Sequence, residues 1–235
     1  MNLLLLNDDD HVEGQAYSVS GRRLQHLLQV HGAGAGDTLR AGVLGGMMGE
    51  AQIREIDERR ALLSVSLDTP PPQKLPLCLV LALPRPKMLR RILRTAAELG
   101  VPELHLINSY RVEKSYWQTP VLGPGTVREY LVQGLEQSRD TVLPEVHCHR
   151  RFKPFVEDEF PGMIAGCRGL LAHPGDYPAC PREAGGATLL VIGPEGGFIP
   201  YEVEKLADAG CEIVSLGPRI LRVENAVTAS LGRLF

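Results

Sequence analysis

No stretch of this chain approaches the roughly 18 consecutive apolar residues that a membrane-spanning helix needs. The apolar run at residues 3–6 is also too short for the core of a secretion signal, and Asp8, Asp9 and Asp10 follow it where small neutral residues are wanted. A soluble, cytoplasmic protein is expected. Cysteine is sparse: Cys78, Cys148, Cys167, Cys180 and Cys211 are odd in number and never spaced C-x-x-C, which argues against a disulfide framework or a zinc knuckle and fits a reducing compartment. Excess basic charge is missing too. The 25 Lys and Arg against 28 Asp and Glu give a formal charge of -3, which excludes an indiscriminate polyanion binder and makes any nucleic-acid contact local. Neither G-x-x-x-x-G-K-[ST] nor G-x-G-x-x-G occurs, so a nucleotide phosphate loop is not encoded.

What is present divides at the stretch DTPPPQKLP, residues 68–76, whose consecutive prolines favour polyproline II and fit a linker. Before it, DTLRAGVL, GEAQIREI and ALLSVSL read as short strands set apart by glycine or charge clusters, which suggests a small β-barrel or sandwich. After it, apolar runs of strand length at 77–83, 103–108, 168–173 and 187–193 alternate with helical patterns. Strands that are apolar throughout are buried on both faces, as in a parallel sheet. The spacing predicts a helix over 86–99, with Met88, Ile92, Ala96 and Leu99 on its apolar side and Gly100 as its C-terminal cap, and a last helix from about Val223. The expected domains are 1–70 and 71–235.

Two strand ends carry glycine and proline together. VIGPEGGF, residues 191–198, runs from a strand into a turn, and SLGPRILRVENA, residues 215–226, repeats that order, while His173-Pro174-Gly175 follows a third strand. In open parallel sheets ligands bind at the carboxyl ends of the strands, so adjacent loops of this kind form a crevice. Glu195 inside the first loop disfavours a phosphate and leaves a neutral or cationic ligand. His147, Cys148 and His149 carry metal-binding chemistry, but strand alternation turns Cys148 away from both histidines, and no metal is expected there. Tyr116 and Trp117 suit either base stacking or groove filling.

IGPEGGF followed by SLGPRILRVENA resembles the signature of the small-subunit (16S) ribosomal RNA uridine N3-methyltransferase family, of the SPOUT class. LPRPKMLRRILRTAAELGV (83–101) and GLEQSRDTVLPEV (134–146) are similar to two further segments of that family, and the resemblance covers residues 77–235. It implies a trefoil-knotted α/β domain with a parallel sheet, a homodimer, S-adenosyl-L-methionine held in the knot loops, and a PUA-like β-barrel at 1–70 that reads RNA. The ten acids and six bases of residues 1–70 weigh against strong phosphate binding by that barrel.

Carried over by the resemblance, the cofactor pocket takes Leu171, His173 and Pro174 from one loop, Ile192, Gly193, Gly196 and Gly197 from the second, and Leu216, Gly217, Ile220, Leu221 and Ala226 from the third. Uridine N3 must lose a proton, and Arg222 is the candidate to stabilise the resulting charge. Glu224 is either the proton acceptor or a helix-start carboxylate that favours the macrodipole or orients Arg222. Lys87, Arg90, Arg91 and Arg94 lie opposite the apolar stripe of their helix, with Arg85 extending the run, and are expected to meet the backbone of ribosomal RNA or of the small subunit. A ribose 2′-hydroxyl or another base as the target, and an idle RNA-binding or assembly factor, are the alternatives.

Overall fold

Short alternating segments in the first third of the chain pair into one sheet. In the computed structural model, which describes residues 2–235, the strands are β1 (Leu4–Leu6), β2 (His11–Glu13), β3 (Ala16–Val19), β4 (Thr38–Val43), β5 (Met48–Ile56) and β6 (Ala61–Thr69). Their order is β1-β4-β5-β6-β3-β2, with β1 parallel to β4 and the other pairs antiparallel. Because side chains alternate along a strand, Ala51, Ile53, Ala61, Leu63 and Val65 enter the core while Gln52 and Arg54 face water. Register shifts in β5 at Met48/Gly49 and Ile53/Glu55 add bulges, which bend the strand and curl the sheet. Leu24 of helix α1 (Gly21–His26) joins this core.

The acidic run after β1 is only partly a solvated patch. Asp10 is buried, and its two carboxylate oxygens accept from Arg23 Nη1 and Nη2 at 2.5 and 2.6 Å, a bidentate pair that satisfies a charge withdrawn from water.

The chain divides into two compact units, Met1–Gln73 with Leu131–Leu143, and Lys74–Tyr130 with Pro144–Phe235. The segment Leu131–Leu143 joins the first unit through its main chain: Asn2 and Leu3 N–H groups donate to the Glu136 carbonyl at 2.9 and 3.0 Å, and Gly45 N–H donates to the Thr141 carbonyl at 2.7 Å. The Thr141 hydroxyl donates in turn to the Gly46 carbonyl, and the buried Glu136 carboxylate pairs with Arg22 at 2.7 Å.

From residue 77 onward the elements are β7 (Leu77–Ala82), α2 (Pro86–Glu98), β8 (Glu103–Ile107), α3 (Pro124–Ser138), β9 (Glu145–His149), α4 (Phe152–Pro154), α5 (Phe160–Ile164), β10 (Arg168–Ala172), β11 (Thr188–Ile192), α6 (Pro200–Asp208), β12 (Glu212–Val214) and α7 (Val223–Leu234). Their strands form a second six-stranded sheet, all parallel, in the order β12-β10-β11-β7-β8-β9. β11 is buried along its whole length, which explains its unbroken apolar run.

Helix α2 starts with proline at its first turn and stops at Gly100, whose φ of 73° suits glycine. Its buried face differs from the expected one. Leu89, Ile92, Leu93, Ala96 and Ala97 are enclosed, whereas Met88 is half-buried and Leu99, beyond the last turn, is 38% exposed. The stripe one position over presents a wider apolar arc, and α2 lies against α7. Among the described residues no helix is long and apolar enough to cross a membrane.

Candidate functional site

β12, β10 and β11 are neighbours and run in one direction, so the loops that leave their carboxyl ends emerge side by side. Together they line one open cleft. Ala172, His173 and Pro174 come from the end of β10, and Ile192, Gly193, Pro194, Glu195 and Gly197 from the end of β11. The third side is Ser215, Leu216, Gly217, Arg219, Ile220 and Leu221 after β12, completed by Val223 and Ala226 at the start of α7.

Main-chain bonds hold these loops in place. His173 N–H donates to the Val214 carbonyl at 3.0 Å, and Gly197 N–H donates to the Pro194 carbonyl at 2.8 Å, closing a turn over Glu195 and Gly196. Gly197 and Gly217 have φ of 72° and 116°, backbone that side chains with a Cβ rarely adopt. This is where the concentration of glycine has a direct physical cause.

Two arginines brace the β11 loop. Glu195 Oε1 accepts from the Arg85 N–H at 3.0 Å, and Arg111 Nη1 donates to the Gly196 carbonyl. Burial, and then the nearby Arg111 guanidinium, hold His173 below the ordinary histidine range, so a neutral imidazole faces the cleft at neutral pH.

Of the residues expected in the pocket, Leu171 and Gly196 stand outside the cleft lining. Leu171 is fully buried within β10, one residue short of Ala172, which does reach the cleft. Gly196 is covered by Arg111, whose Cδ lies 2.9 Å from where a Cβ would be. The other expected pocket residues are brought together. Ser215 and Val223 also line the cleft, and Arg111 braces it without lining it; nothing local in the sequence marks Arg111, which is 85 residues from its partner Gly196.

Arg222 and Glu224 are not among the lining residues, although they flank Val223, which is. Arg222 precedes the first turn of α7 with its side chain exposed and without an ion pair among the described residues. Glu224 is 15% exposed and has Oε1 3.9 Å from Arg91 Nη1 of α2. The basic run is therefore unequal. Arg85 is engaged with Glu195, Arg91 with Glu224, and Arg94 lies over the Tyr130 ring at 4.6 Å, while Lys87 and Arg90 project into water without an ion-pair partner among the described residues. Trp117 is buried, donates to Asn108 Oδ1 at 2.9 Å and lies beneath Arg150, which makes it a filler of the fold rather than a stacking platform.

The family model for the RNA methyltransferase domain matches residues 71–234. The ribosomal RNA small subunit methyltransferase E of Treponema pallidum (strain Nichols) is 30% identical over 241 aligned residues, covering 98% of this chain and 89% of the relative. A crystal structure of a ribosomal RNA small subunit methyltransferase E from Neisseria gonorrhoeae bound to S-adenosyl methionine aligns with a TM-score of 0.75 at 20% identity, covering 98% and 95% of the two chains. One of a probable rRNA-methyltransferase from Porphyromonas gingivalis aligns with a TM-score of 0.74 at 23% identity and the same coverage. At these identities the two structures establish the fold, while the family match and the Treponema relative establish kinship. The chain belongs to the RNA methyltransferase domain family, among the ribosomal RNA small subunit methyltransferase E proteins.

Proposed function

We propose that this chain transfers a methyl group from S-adenosylmethionine to N3 of a uridine in small-subunit (16S) ribosomal RNA. The observation that carries the proposal is the cleft itself, where three glycine- and proline-rich strand ends meet with apolar walls and an acidic residue and without a lysine for phosphate. When bound, S-adenosylmethionine supplies an electrophilic methyl carbon on a cationic sulfonium. Ile192, Leu216, Ile220 and Leu221 suit the face of an adenine, and Glu195 and the neutral His173 are compatible with the positive charge. Arg219, also on the cleft, suits the cofactor's carboxylate. Leu171 supports the cleft from within β10, and Gly196 does so through the brace to Arg111.

The substrate N3 carries a proton that must leave, and its charge then spreads over the ring oxygens. Arg222 is assigned the stabilisation of that charge, and Glu224, oriented by Arg91, the acceptance of the proton. N3 lies on the pairing edge, so the nucleotide is unpaired or extruded before reaction. The fine architecture of the reading is a trefoil knot in the parallel-sheet unit, a PUA-like RNA-reading role for the N-terminal one, and a homodimer in the cytoplasm. Ile220, 82% exposed on the cleft, suits burial by a second copy.

RNA contact is assigned to the basic face of α2, Arg85, Lys87, Arg90, Arg91 and Arg94, with Lys87 and Arg90 its uncommitted charges. The double variant Lys87→Glu/Arg90→Glu is expected to weaken RNA binding roughly tenfold and to flatten its salt dependence by about two phosphate contacts. Cofactor affinity stays unchanged; loss of both in equal measure removes α2 from the RNA interface. Arg91 is a poorer choice, because its reversal places two carboxylates together at Glu224.

The test of the reaction is nucleoside mass spectrometry of ribosomal RNA from cells lacking the gene, followed by treatment of their small subunits with purified protein and S-adenosylmethionine. 3-Methyluridine is expected to vanish and then return. Loss of a ribose-methylated nucleotide instead replaces the N3 assignment.

A further inference from the structure

Toward the amino-terminal ends of β7, β8 and β9, and sharing no residue with the cleft, ionisable side chains gather on one face of the parallel sheet. The register sets Cys78 beside Glu103, and His105 beside His147. Paired residues on adjacent strands share a face, as do residues two apart on one strand, whereas Cys148 falls on the opposite face.

Cys78 Sγ, a carboxylate oxygen of Glu103 and a ring nitrogen of His105 lie within 4.8 Å of one another. His147 Nε2 is closed off from solvent and makes no hydrogen bond, with Glu103 Oε1 and Glu145 Oε2 each 3.5 Å away. Metal-donor distances of about 2.0–2.3 Å around a tetrahedral zinc ion set neighbouring donors roughly 3.3–3.7 Å apart, so Cys78, Glu103 and His105 need only small side-chain movements to share one ion, and His147 is the fourth donor, brought in by rotation toward Glu103.

A chain of polar contacts runs outward from the cluster. Glu103 Oε1 meets His105 Nε2 at 2.8 Å, His105 Nδ1 meets His149 Nε2 at 2.8 Å, and His149 Nδ1 meets Glu159 Oε2 at 3.0 Å. With an ion at the Glu103 end, His105 Nε2 gives it a lone pair, His105 Nδ1–H donates to His149, and His149 Nδ1–H donates to Glu159. Such an outer chain of partners fixes the tautomer and orientation of a metal-bound histidine.

We infer that Cys78, Glu103, His105 and His147 bind a zinc ion that ties β7, β8 and β9 together. A thiolate, a carboxylate and two imidazoles favour zinc over magnesium or calcium, which take oxygen donors. Four protein donors close the coordination shell, so the ion is structural and takes no part in methyl transfer.

The test is titration of the chelator-treated, fully reduced full-length protein with Co²⁺, which reports thiolate ligation by a charge-transfer absorption and tetrahedral geometry by its visible bands. A single equivalent of Co²⁺ is expected to saturate both, and Zn²⁺ to displace it. Cys78→Ser abolishes the charge-transfer absorption, and His147→Ala, at a more exposed position, weakens binding on the order of 10- to 100-fold while circular dichroism stays native. Cys148→Ser changes neither. Zn²⁺ at about 100 times its Kd raises Tm by roughly 5 °C or more in the wild type, and this shift is lost in Glu103→Gln. Absence of saturable Co²⁺ binding overturns the site, as does a thiolate band that survives Cys78→Ser or disappears in Cys148→Ser. Should Cys78→Ser fail to fold, His147→Ala decides alone: unchanged Co²⁺ affinity overturns the site.

Discussion

Arg222→Ala slows methyl transfer by roughly 10²- to 10³-fold in single-turnover assays at saturating cofactor and RNA. Calorimetry gives it a cofactor Kd within about twofold of the wild type. The expectation of a pure rate defect follows from where the residue lies. Leu221 and Val223 on either side of it line the cleft, but the Arg222 side chain itself is exposed and forms no part of the lining. It therefore contributes little to holding the cofactor. What it can meet is an RNA base brought to the mouth, at the stage when the departing N3 proton leaves charge on the ring oxygens. A group engaged only at that stage raises kcat and leaves ground-state binding alone. Arg222→Lys keeps the charge and loses the planar fork, so part of the rate is retained. Arg219→Ala gives the opposite pattern, weaker cofactor binding with a smaller effect on the saturated rate, because Arg219 does line the cleft. If Arg222→Ala instead weakens cofactor binding and leaves the saturated rate intact, the residue has no place in the chemical step.

Gly217→Val weakens cofactor binding on the order of 10- to 100-fold, the cost of forcing a side chain into a backbone conformation that disfavours it by about 1–3 kcal/mol. The cause is conformational and not steric, since a Cβ at this position meets nothing within 4 Å, while φ is 116°. A β-branched residue escapes that strain only by re-routing the backbone. The segment that moves carries Leu216, Ile220 and Leu221, one wall of the cleft. Gly232→Ala, at an ordinary helical position in α7 with open space around its Cβ, is the control and binds like the wild type. Equal affinity of Gly217→Val and the wild type, measured by calorimetry, separates this loop from cofactor binding.

Much of the fold is legible in residue patterns. Alternation marks β5 and β6, unbroken apolar runs mark β7, β8, β10 and β11, and the proline and glycine bounding α2 fix its ends. β1 is not legible in this way, because consecutive leucines carry no period. The buried stripe of α2 is displaced from the expected one because Leu89 and Leu93 compete with Met88 for burial, a competition that tertiary packing and not the helical period decides. The acids Asp10 and Glu136 look like surface charges until Arg23 and Arg22, 13 and 114 residues away, are brought to them. The same holds at the cleft. Glycine and proline mark the loops after β10, β11 and β12, but no local pattern reveals the brace from Arg111 or the partnership of Arg91 with Glu224.

The membership of Leu131–Leu143 in the first unit bears on how the protein emerges during synthesis. When residue 73 leaves the ribosome, the amides of Asn2, Leu3 and Gly45 still await acceptors near positions 136 and 141. The opening portion of the chain is thus an incomplete body that waits for 70 further residues, 74 to 143, before it can close. A protein made this way does not mature strictly from its front end, and cutting it at the proline stretch yields a fragment lacking part of its own interior.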